Sequence, residues 1–173
     1  LGYLPSHWLK LRNLYDPALA PNLNTLPDSW SIWASSGMVI TITSCLIIIA
    51  SDIGSYGLGR SFGKLPLSPI SPGKTVEGAI GGLFCAMATG AISGELLGWN
   101  WGFLIGGILG ILVALFALVG DLTESMMKRN AGLKDSGNAL PGHGGILDRI
   151  DSYLFTPAVI YYAVTVIIPL NNL

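Results

Sequence analysis

The segment Gly120–Asp151, GDLTESMMKRNAGLKDSGNALPGHGGILDRID, is a polar stretch between two long apolar runs. It carries five acids (Asp121, Glu124, Asp135, Asp148, Asp151) and four bases (Lys128, Arg129, Lys134, Arg149). That is about half the charge of a 173-residue chain with ten acids and nine bases. A solvated loop or a site for a charged ligand at a membrane surface would both account for it, and the spacing favours the site. If the incoming helix continues past Gly120, Asp121, Glu124, Ser125 and Lys128 fall at i, i+3, i+4 and i+7 and share one face. On the way back Asp148, Asp151 and Ser152 stand at i, i+3 and i+4. Oxygen-only clusters of this kind suit a hard cation such as Mg²⁺, which takes one or two carboxylates together with substrate phosphates.

Working outward, the chain is 51% hydrophobic and 11% charged, against about 25% charged for a soluble domain. An integral membrane protein is the expectation. Leu1–Leu9 is too short to span and reads as the tail of an upstream helix. Residues 10–29 read as a loop, and Ser29–Ser51 as a first span with Trp30 and Trp33 at its interface. A polar loop follows from Ser51 to Thr75. The runs Val76–Leu97 and Trp101–Gly120 are joined by a tight turn at Gly98-Trp99-Asn100. Gly78, Gly82, Ala86, Gly90 and Gly94 repeat every four residues on the first run, and Gly102, Gly106 and Gly110 on the second, so the two are expected to pack closely as a hairpin. Ser152–Leu170 is a fourth run. The fold class is therefore an all-α polytopic bundle, with about four complete transmembrane helices plus the tail of an upstream one. Cys45 and Cys85 lie in apolar runs and read as small buried hydrophobes.

Two spans separate the loops 51–75 and 121–151, which places both on one side of the membrane. Together they hold seven of the nine Lys and Arg residues, so that side is expected to be the cytoplasm or its organellar equivalent. No nucleic-acid partner is expected.

Asp121 and Asp148, at helix ends near lipid, are the leading metal and catalytic candidates, with Asp135 and Asp151 next; a simple interfacial ion pair with Lys128 or Arg149 is the rival reading. Lys128, Arg129, Lys134 and Arg149 are cations for an anionic substrate, or residues that reach toward lipid headgroups. Ser125 shares the face of Asp121 and is placed to donate to a phosphate, whereas no base near it supports a covalent serine mechanism. His143, in the Gly142–Gly145 turn, is either a phosphate contact or a surface turn residue. In the loop 51–75, Asp52 is counted among the substrate contacts. Thr75 is a plausible N-cap, and Lys74 just before it makes an anion site at a helix start, or merely flanks an ordinary capped one. There is no GxxxxGK[ST], so this is not a P-loop.

Ser125-Met-Met-Lys128-Arg129, then Lys134-Asp135, then Leu140-Pro141-Gly142-His143-Gly144-Gly145-Ile146 and Asp148-Arg149-Ile150-Asp151 together resemble the signature of the CDP-diacylglycerol synthases, or phosphatidate cytidylyltransferases. Ser71-Pro72-Gly73-Lys74-Thr75-Val76-Glu77-Gly78 resembles a second segment of that family. The resemblance implies that Ser71, Lys74 and Thr75 bind nucleotide or phosphate. It implies a reaction in which the phosphate of phosphatidate attacks the α-phosphorus of CTP, releasing pyrophosphate. It further implies Mg²⁺, a second monovalent ion such as K⁺, a homodimer, and a bacterial inner or organellar membrane, with residues 1–173 forming the C-terminal catalytic part and further upstream transmembrane helices expected to be missing from this chain. A CTP-dependent lipid kinase and a non-catalytic membrane subunit are the alternatives.

Overall fold

A computed structural model describes residues 3–14, 16, 19–22, 35–68, 71–133 and 151–167. A short helix α1 (Ser6–Arg12) precedes three long ones: α2 (Ser36–Phe62), α3 (Val76–Leu97) and α4 (Gly102–Asn130). A small antiparallel hairpin of β1 (Pro66–Ser68) and β2 (Ser71–Thr75) joins α2 to α3, with Pro66 opposite Thr75 and Ser68 opposite Ser71. The last element, α5 (Ser152–Tyr162), widens into a π-helical turn over Ala163–Ile167. The all-helical membrane architecture holds, since α2, α3 and α4 are long and apolar enough to cross a membrane. The fourth run differs: among the described residues it is the shorter apolar helix Ser152–Val166.

The helix α2 begins where the Ser35 hydroxyl accepts a bond from the Met38 N–H. Residues 23–34, with Trp30 and Trp33, lie outside the described residues. Its far end corrects the sequence reading, because the loop expected from Ser51 starts only at Gly63. The Gly- and Ser-rich stretch 51–62 is helical because its small residues are packing surface. A Cβ at Gly54 would strike Cys85 and the Gly81 carbonyl, and Ser51 and Gly54 are both buried.

The glycine stripe of α3 serves two partners. Its first half, at Gly78, Gly81 and Gly82, lies against Ser51, Gly54, Ser55 and Leu58 of α2. Its second half, at Ala86, Gly90 and Gly94, lies against Gly110, Gly106 and Gly102 of α4, where a methyl at any of these glycines would run into opposing backbone carbonyls. The expected hairpin is thus present. Its turn closes through Gly98 in the left-handed region at φ 80°, and Trp99 packs beneath it with its indole N–H on the Leu19 carbonyl.

The short α1 lies on α2 and α5. Pro157 has no N–H to offer the carbonyl one turn back, at Tyr153. The indole Nε1 of Trp8 donates to that carbonyl instead, at 3.1 Å. Large apolar side chains such as Phe84, Phe103 and Ile108 face outward, while Ile48, Val113, Ile160 and Val164 fill the interior. An outward-facing apolar shell of this kind fits a lipid surrounding.

Candidate functional site

The site forms where five pieces converge at one end of the bundle: the last turns of α2, the β-hairpin, the start of α3, the last turns of α4 and the start of α5. α4 runs unbroken through Gly120 to Asn130, so Asp121, Glu124 and Lys128 do share a helical face. Gly120 is the crossing point with α5. A Cβ there would stand 2.5 Å from the Asp151 carbonyl oxygen and 3.3 Å from the Phe155 ring. The absence of a side chain lets Asp151 settle beside Asp121.

One carboxylate oxygen each from Asp121, Glu124 and Asp151 lies within 4.8 Å of the others. Glu124 is the most enclosed at 6% exposure, and Lys128, one turn on, meets it at 2.8 Å. Lys74, at the end of β2, is ion-paired with Asp121. Asp151 caps α5 by accepting from the Ser152 N–H at 2.6 Å. Burial, and then the negative charges of Asp121 and Glu124, push its carboxyl up to about 6, against the pull of that N–H. Three crowded carboxylates, one of them driven toward protonation, form a donor set that a hard divalent cation would relieve, and all its ligand atoms are the oxygens such an ion prefers.

Beside this cluster lies a cavity of about 350 Å³. Asp52, Lys74, Thr75 and Asp121 give its lining polar groups, and Leu83, Ala114, Ala117 and Leu118 apolar ones. Such a space matches a ligand with a charged head and an apolar body.

Of the residues expected from sequence, Asp121, Asp151, Lys74 and Lys128 are brought together, and Asp52 faces the same cavity. Thr75 both lines the cavity and caps α3, accepting from the Gly78 N–H at 3.2 Å. Ser125 is half-buried and Arg129 exposed on α4, and Ser71 sits on the hairpin; none of the three lines the cavity. Asp135, Asp148, Lys134, His143 and Arg149 lie outside the described residues. Glu124 joins the carboxylate cluster although the sequence reading did not assign it as a ligand. The signal was present, three residues after Asp121 on the same face.

The cytidylyltransferase family model matches residues 28–167. The chain is 47% identical over 181 residues to a phosphatidate cytidylyltransferase of Synechocystis sp., covering 99% of this chain and 61% of that protein. It is 44% identical over 167 residues to the chloroplastic phosphatidate cytidylyltransferase 4 of Arabidopsis thaliana, covering 92% of this chain and 42% of the relative. A phosphatidate cytidylyltransferase of Helicobacter pylori is 44% identical over 128 residues, 73% of this chain and 47% of that protein. The chain therefore spans about two-fifths to three-fifths of the length of these relatives. With this match running from residue 28 to residue 167, through every element that builds the carboxylate cluster, the chain belongs to the cytidylyltransferase family.

Proposed function

We propose that this protein transfers a cytidylyl group from CTP to phosphatidate, giving CDP-diacylglycerol and pyrophosphate. The observation that carries this reading is the juxtaposition of Asp121, Glu124, Asp151, Lys74 and Lys128 with a cavity lined by both polar and apolar side chains. The names of its relatives support the same reaction. A phosphate oxygen of phosphatidate forms the new bond to the α-phosphorus of CTP, and the bond from that phosphorus to the bridging oxygen breaks. The electron pair leaves with pyrophosphate, and no protein nucleophile is required.

The chain's own part in this is positioning and charge. Lys74 and Lys128 hold their ammonium groups beside the carboxylates, ready to meet phosphate oxygens. The apolar side chains of the cavity lining, Leu83, Ala114, Ala117 and Leu118, take the first acyl carbons, which keeps water from competing as acceptor. Asp121, Glu124 and Asp151 would hold Mg²⁺, and Asp135 and Asp148 are proposed to complete the set. When bound, Mg²⁺ supplies neutralisation of the charge that develops on the phosphate oxygens and on the leaving group. A monovalent ion such as K⁺, a homodimer, and a site end facing the cytoplasm or its organellar equivalent belong to the same reading.

The test is to supply CTP, Mg²⁺ and phosphatidate to the full-length protein in detergent and to identify the products. CDP-lipid and pyrophosphate in equal amounts support the proposal. CDP with a newly phosphorylated lipid would mean a kinase, and no turnover alongside intact folding would point to a non-catalytic subunit.

A further inference from the structure

Arg60 is a cation at the cavity to which neither the reaction above nor the carboxylate cluster gives a task. It sits in the last turn of α2, at i+4 from Tyr56, and both residues line the cavity. The Arg60 Nη1 donates to the Tyr56 hydroxyl at 2.6 Å, and the guanidinium carbon lies 5.8 Å from the Tyr56 ring centroid. Among the described residues Arg60 meets no carboxylate, whereas Lys74 and Lys128 each do. Its fork is therefore held in place by a neutral partner and keeps its charge available.

The setting says which anion it meets. Tyr56 is 66% exposed while lining the cavity, so it marks the rim. Beside that rim α2 exposes the large apolar side chains of Ile53, at 68%, and Phe62, at 66%, together with the polar Asp52 and Ser61. A guanidinium in the last turn of a membrane-spanning helix, beside exposed apolar side chains, stands where a lipid phosphate sits, at the edge of the hydrocarbon. We propose that Arg60, oriented by Tyr56, receives the phosphomonoester headgroup of the lipid substrate as it enters the cavity from the bilayer. This rests on the reaction proposed above and adds the residue that selects the lipid's headgroup.

Initial rates on the full-length protein in mixed micelles test it, varying short-chain phosphatidate at saturating CTP and then the reverse. Arg60→Gln is expected to raise KM for phosphatidate about tenfold to a hundredfold, the range for one charged hydrogen-bonding contact, and to leave KM for CTP within about twofold. Arg60→Lys keeps charge without the fork and should fall between; Tyr56→Phe should move the same parameter less. A rise in KM for CTP with KM for phosphatidate unchanged, or no change in either, would overturn the assignment. Calorimetric binding of dioctanoyl phosphatidate against dioctanoylglycerol, without CTP, separates this from the reaction itself. If the wild-type protein makes no CDP-lipid, the proposed reaction fails. Loss of phosphatidate binding alone in Arg60→Gln would still uphold the headgroup contact, and equal binding by variant and wild type would sink it. If Arg60→Gln does not fold, Arg60→Lys carries both measurements.

Discussion

Asp151 shows how a single side chain is forced into an uncomfortable position by its neighbours. Its folded carboxyl titrates at about 6 rather than the ordinary 3.8, because burial and the charges of Asp121 and Glu124 oppose ionisation. Folding thus favours the protonated form, so Asp151 weakens the fold progressively as pH rises from near 3.8 to about 6. In magnesium-free buffer, Asp151→Asn is expected to have a higher Tm than wild type above pH 6 and to lose that advantage near pH 4. Thermal scans of both proteins across this range check it, and a pH-independent difference would contradict it. Glu124 supplies the second prediction at this scale. Its carboxylate is the most enclosed of the three, so Glu124→Gln should lower kcat roughly a hundredfold or more, as the loss of one preorganised charged group does elsewhere. An unchanged kcat would remove it from the site.

Among the elements, the α3–α4 hairpin depends on backbones touching without side chains between them. Gly106→Ala sets a methyl against the Gly90 carbonyl, and should destabilise by about 1–3 kcal/mol as overpacking does. Gly57→Ala on α2 is the control, since a Cβ there meets nothing within 4 Å; helix propensity alone makes it neutral or slightly stabilising. Thermal unfolding in detergent distinguishes the two. At the other end of the chain α1 and α5 are joined by the bond from Trp8 to the carbonyl that Pro157 leaves open. Trp8→Phe is expected to cost about 1 kcal/mol in the wild-type background. In a Pro157→Ala background, where a helical N–H can reach the Tyr153 carbonyl, the same change should cost less.

For the molecule as a whole, the ion pair between Lys74 and Asp121 requires the start of α3 and the far end of α4 to lie at one end of the bundle. The Gly98–Trp101 turn then lies at the opposite end. In a background with Cys45 and Cys85 replaced by Ala, single cysteines at Lys64 and Asn130 should react with a membrane-impermeant maleimide from the same side of sealed vesicles. A cysteine at Asn100 should react from the other. Labelling of Lys64 and Asn130 positions from opposite sides would break the shared site.

What the amino-acid sequence determined by itself is local. Runs of apolar residues set the membrane helices, the 3.6-residue period put Asp121, Glu124 and Lys128 on one face, and Thr75 marked the start of α3 because its hydroxyl accepts from an N–H of the first turn. The stretch Ser51–Phe62 escaped this reading. Its glycines and serines are characteristic of loops in water, whereas here they are the surface on which Gly78 and Gly81 of α3 pack closely. The site was legible in its residue types but not in its membership. Lys74 reaches Asp121 across 47 residues of sequence, and Asp151 joins the cluster through the crossing at Gly120. Those pairings depend on how close two helices can approach, a property of both surfaces together, and so only the tertiary structure could decide them.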